Sequence, residues 1–162
     1  GPFTLYDKSG KAVSWDQFKG KYRIVYFGYT YCPDACPMDM SVLIHGFNLF
    51  ATDHPEHATE VQPIFITIDP ERDTPQALKD YLSSDGFPKG TIGLTGTPEQ
   101  VATAAKAYRA FYQKVGEGEG YTMNHSLTVY LMGPDGKFRT AVAYGMGPDK
   151  TTRIIEQAMA RG

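Results

Sequence analysis

Two cysteines four residues apart are the side chains in this sequence best suited to chemistry. Cys32 and Cys36 are its only cysteines, in the segment Phe27-Gly28-Tyr29-Thr30-Tyr31-Cys32-Pro33-Asp34-Ala35-Cys36-Pro37. A bridge between them would close a very small loop and stabilise the fold little, so chemistry explains the pair better than stapling. The pattern predicts a strand that ends just before the thiols and a helix that starts with them. A helix N-terminus favours negative charge, so a thiolate is stabilised there, and both metal binding and thiol exchange need the thiolate. Residues four apart on a helix share a face, about 6 Å apart along the axis. That separation suits a reversible disulfide, and it equally suits two sulfurs converging on one metal ion. Spacing alone leaves both uses open. Two ordinary buried cysteines are the third possibility. The prolines that bracket the pair at a strand-to-helix turn are hard to explain by packing.

A third ligand would come from the histidines. His45 falls off the apolar face of its predicted helix and is read as solvated. His54 and His57 sit in a polar stretch, Asp53 to Glu60, and are read as surface residues with no thiolate near them in sequence. His125 ends a glycine-rich stretch and precedes an apolar run. By its chemistry alone, a histidine at such a boundary is as readily structural as ligating. Met38, Met40, Met123 and Met146 offer soft sulfur as accessory ligands, although packing is the commoner role of methionine.

The elements that must position these groups follow from periodicity. Phe3 to Tyr6 alternates and runs into the turn signal Asp7-Lys8-Ser9-Gly10-Lys11, which predicts an N-terminal β-hairpin. Arg23 to Gly28 (RIVYFG) and Val61 to Asp69 (VQPIFITID) read as buried strands. Met40, Leu43, Ile44 and Phe47 form one helical face after the cysteines. Thr74-Pro75 and Thr97-Pro98 each open a helix, with threonine as N-cap and proline at the first helical position. Gln100 completes a capping box for the second, which should run to about Phe111. Leu127 to Met132 and Phe138 to Tyr144 flank Gly133-Pro134-Asp135-Gly136-Lys137 as a hairpin. A last helix should run from near Asp149 to Ala160. Gln113 to Asn124 shows no period and reads as a mobile loop.

The resulting order of strands and helices implies an α/β fold with a central mixed sheet, helices on both faces and an N-terminal hairpin. A cysteine pair between the first central strand and its helix, with a closing hairpin, is the thioredoxin-like arrangement. In that arrangement the loop carrying His125 lies beside the cysteines. The length of 162 residues fits one domain over residues 1–162, with no internal repeat. Net charge is −2 with scattered Lys and Arg, which argues against nucleic-acid binding. No run of eighteen apolar residues is present. Gly1-Pro2 reads as a scar of tag cleavage, with a natural N-terminal segment expected ahead of it.

Several separated blocks resemble the Sco/SenC family of copper proteins, which serve cytochrome c oxidase assembly. Tyr26 to Pro37 (YFGYTYCPDACP) resembles that family's cysteine motif. Ile68 to Pro75 (IDPERDTP) resembles its second block, and Asn124-His125-Ser126 with Val129 to Gly136 (VYLMGPDG) its histidine block. The resemblance covers the chain from about residue 3 onward. It implies a thioredoxin-like fold and copper bound through Cys32, Cys36 and His125. Tyr31 stands where many members have histidine, and Asn124 where many have aspartate. Neither is one of the three ligands, so both would act on affinity and redox behaviour from outside the coordination sphere. Thiolate and imidazole suit Cu(I), and Cu(II) tolerates them. A structural zinc site would want four protein ligands, and three are offered. Asp69 and Asp73 in the second block read as turn and cap residues.

Two functions compete. A metallochaperone would pass copper to cytochrome c oxidase subunit II or to another copper chaperone. A thiol–disulfide oxidoreductase would instead cycle Cys32 and Cys36, and would not need His125. A thiol peroxidase shares the fold but would want helper residues near its cysteine, and the single tryptophan, Trp15, reads as packing. The resemblance further implies a monomer in the bacterial periplasm, held by an N-terminal membrane anchor. The mitochondrial intermembrane space is the alternative.

Overall fold

The computed structural model describes residues 4–7, 11–18, 20–28, 48–50, 52–58, 60–84, 91–107, 112–116, 122–125, 128–135, 137–143 and 148–160. In chain order the strands are β1 (Thr4–Tyr6), β2 (Ala12–Ser14), β3 (Tyr22–Gly28), β4 (Val61–Thr67), β5 (Ile92–Leu94), β6 (Tyr112–Val115), β7 (Thr122–His125), β8 (Thr128–Met132) and β9 (Phe138–Ala143). The α-helices are α1 (Pro55–Ala58), α2 (Pro75–Ser84), α3 (Pro98–Ala107) and α4 (Pro148–Ala160), and a 3-10 turn spans Trp15–Phe18.

Every residue of β3 is buried, as is all of β4 except Gln62. Burial on both faces explains why these runs are continuously apolar rather than alternating. They form the centre of a five-stranded sheet of order β5-β4-β3-β8-β9. β5, β4 and β3 run parallel, while β8 and β9 are antiparallel, so the sheet is mixed as the sequence predicts. Alternate residues of β3 feed two cores. Val25 and Phe27 join Leu5, Val13, Ile64, Ile66 and the α3 residues Val101 and Ala104 on one side. Ile24 and Tyr26 join Phe50, Phe65, Leu78 of α2 and Ile155 of α4 on the other. Each fully buried Leu, Ile or Phe here contributes about 1.5–3 kcal/mol through its removal from water.

The start signals act as read. The Gln100 N–H donates to Thr97 Oγ1 at 3.1 Å, and the Thr97 N–H donates to Gln100 Oε1 at 2.8 Å, closing the capping box of α3. Thr74 Oγ1 accepts from the Ala77 N–H at 3.2 Å at the start of α2. α4 begins with Pro148 at its first position. In the N-terminal hairpin the buried Leu5 and Val13 face each other, and Asp7 accepts from the Lys11 N–H at 2.9 Å in the turn. Tyr6 and Thr95 exchange two backbone hydrogen bonds of 2.7 and 2.8 Å, which fasten this hairpin beyond β5.

Residues 113–124 differ from the sequence expectation. Tyr112–Val115 and Thr122–His125 are strands paired antiparallel, not one loop. Their residues, YQKV and TMNH, show no apolar alternation, so pairing leaves no trace in the hydrophobic pattern. Gly116 has a φ of +92°, a left-handed conformation that glycine reaches without strain, and it turns the chain out of β6. His125 therefore closes its own strand, three residues ahead of β8. The helix expected over Met40 to Phe47 lies outside the described residues.

Candidate metal centre

Cys32 and Cys36 lie outside the described residues, and so does Tyr31. Their neighbourhood is set by β3, which ends at Gly28, four residues before Cys32. Gly28 pairs with Thr67 at the end of β4, and its carbonyl accepts from the Ile68 N–H at 2.9 Å. A Cβ on Gly28 would come within 3.2 Å of Phe65 Cε2, so a glycine lets the strand leave the sheet over that ring.

His125 reaches the same end of the sheet from the other side. β8 runs antiparallel to β3 with Tyr26 opposite Val129, so the first residues of β8 lie beside the last of β3. His125 is three residues before Thr128, at the end of β7, paired with Tyr112. A residue spans at most about 3.3–3.6 Å of chain. Cys32 and His125 are thus tethered on short leads to adjacent strands, although nearly one hundred residues of sequence separate them. Among the described residues no group of three His, Cys, Asp or Glu side chains is arranged to hold a metal ion. The described part of the chain thus offers no rival site built from those side chains.

A buried polar network underlies this end of the sheet. Asp73 is fully buried, and its Oδ2 accepts from Thr67 Oγ1 at 2.6 Å. The same hydroxyl accepts from the Asp69 N–H at 2.9 Å. Asp69 is buried too, and its carboxylate pairs with Arg72 Nε at 2.6 Å. The Asp73 carbonyl accepts from Thr95 Oγ1 at 3.3 Å. A buried carboxylate must be hydrogen-bonded or it neutralises, and bonds of this length to charged groups are the stronger kind. The network ties the ends of β4 and β5 to the start of α2, next to the exit of β3. Asp69 does make a turn, since its carbonyl accepts from the Arg72 and Asp73 N–H groups. Asp73, however, is an internal strut rather than a helix cap, a role that Thr74 takes. An aspartate placed just ahead of a Thr-Pro helix start was the available signal.

His54 also departs from its reading as a plain surface residue. It is half-buried, sits 3.3 Å from Glu156 Oε2 through Nε2, and packs on the Phe50 ring with centroids 5.2 Å apart. His57 lies on α1, and His45 lies outside the described residues. The His54–Glu156 pair lines a groove with Tyr22, which begins β3, so it belongs to the opposite end of the sheet from Gly28.

Comparison with known proteins agrees with this layout. The SCO1/SenC family model matches residues 1–160. Protein SenC of Rhodobacter capsulatus is 43% identical over 135 residues, covering 83% of this chain and 58% of its own length. The crystal structure of Arabidopsis thaliana ScoI with copper bound superposes with a TM-score of 0.90 at 34% identity, covering 100% of this chain and 98% of that one. BsSco is a member of the Sco family of cytochrome c oxidase assembly proteins in which a disulfide switch has been identified. It superposes with a TM-score of 0.76 at 26% identity, covering 99% of this chain and 91% of that one. The chain spans about half the length of the curated relatives it matches. With the family model matched nearly end to end and a mixed thioredoxin-like sheet in place, the chain belongs to the SCO1/SenC family.

Proposed function

We propose that this chain is a copper metallochaperone that binds one copper ion through Cys32, Cys36 and His125 and serves the copper site of cytochrome c oxidase subunit II. The observation that carries the reading is topological. The strand leading toward the cysteines, β3, pairs antiparallel with β8, and His125 lies three residues before β8, at the end of the separate β6–β7 ribbon. The donor set fits the cargo. Two thiolates and an imidazole are soft to borderline donors that suit Cu(I) and accept Cu(II), and three donors leave a position open for a receiving ligand. Handover is then ligand exchange. The buried Asp69–Asp73 network holds the adjoining strand ends in place while the ligands change.

Residues 1–162 act as one domain in this reading, as a monomer in the bacterial periplasm, held by an N-terminal anchor. Likeness to a bacterial SenC supports that location, and the intermembrane space of mitochondria is the alternative. No helix among the described residues is long and apolar enough to cross a membrane. Thiol–disulfide exchange by Cys32 and Cys36 is the second reading, favoured by the disulfide switch of BsSco.

The deciding experiment mixes the copper-loaded protein with the reduced, metal-free copper domain of subunit II. Metallochaperone action predicts copper leaving this chain and appearing in the acceptor, with His125→Ala unable to load or deliver. Reduction of an oxidised acceptor at the same rate by wild type and His125→Ala, without copper transfer, would replace the proposal with the oxidoreductase reading.

A further inference from the structure

We draw no further inference here: the strongest candidate, the groove where β3 begins, lined by Tyr22, Phe50, His54, Glu60, Glu156 and Met159, has one of its two carboxylates already facing His54, so its charge selects no occupant, and nothing in the structure shows what covers it.

Discussion

The two ends of the central sheet differ in what they add to the apolar core. At the end where β3 begins, Tyr22, Phe50 and Met159 line a groove of about 440 Å³, edged by His54, Glu60, Glu156 and Gln157. At the end where β3 stops, Thr67, Asp69, Asp73 and Thr95 are all buried and joined by hydrogen bonds. Apolar burial is worth about 1.5–3 kcal/mol per large side chain, whereas a satisfied hydrogen bond nets only about 0.5–1.5 kcal/mol. Polar construction at the Gly28 end therefore adds direction more than stability. It fixes where three chain segments stop, and from that edge the cysteine segment departs. Buried Phe27, Ile66, Ile68 and Leu94 give this end apolar support as well, so the polar network adds direction to a core that both ends share.

The largest expected effect breaks the apolar end. Phe50→Ala removes a buried ring that packs on both His54 and the second core, and should cost about 3–5 kcal/mol by chemical denaturation. Copper stoichiometry at temperatures where the variant is folded should stay at one. Loss of copper binding in the folded variant would show that the two ends are not separable.

Next comes the polar end. Asp73→Ala takes away the acceptor of the buried Thr67 hydroxyl proton and should cost about 1–3 kcal/mol. Unlike Phe50→Ala, it should also weaken copper binding, because the strand ends beside the cysteine segment lose their tie. Asp73→Asn keeps an acceptor for Thr67 and should recover most of both. If Asp73→Ala lowered stability and left copper affinity at the wild-type value, the network would be structural only.

The smallest effect belongs to the groove. Glu156→Gln removes the charge facing His54 in a pair whose side chains are 34% and 39% exposed, and solvent screens such pairs. Its cost should stay within about 0.5 kcal/mol, and copper binding should not change. A larger loss would mean that this rim contributes more to stability than its apolar floor suggests.

Parts of this division are legible in the residues themselves. The continuous apolar runs of β3 and β4 announce central strands, and Thr97 with Gln100 announces a capping box that forms as read. The β6–β7 ribbon was not legible, since a narrow two-stranded pairing of polar residues imposes no periodicity, and only Gly116 hints at a turn. Asp73 reads as a helix-start residue because its carboxylate is held by Thr67 and its carbonyl by Thr95, which are distant or unremarkable in sequence. His54 reads as a surface residue because its partner Glu156 lies about one hundred residues away. The cysteine pair stands out by type and spacing. The antiparallel pairing of β8 with β3, which sets the strand after His125 beside the strand that leads toward the cysteines, is encoded by no local pattern.

The central claim is that Cys32, Cys36 and His125 together hold one copper ion. Titrating the fully reduced protein with Cu(II) while recording the visible spectrum tests it most directly, alongside Cys32→Ala, Cys36→Ala and His125→Ala. The account predicts strong thiolate-to-copper absorption that saturates at one equivalent and is lost or altered in all three variants. A wild-type protein that shows no such band and only oxidises its cysteines to a disulfide, or a His125→Ala variant indistinguishable from wild type, would contradict it.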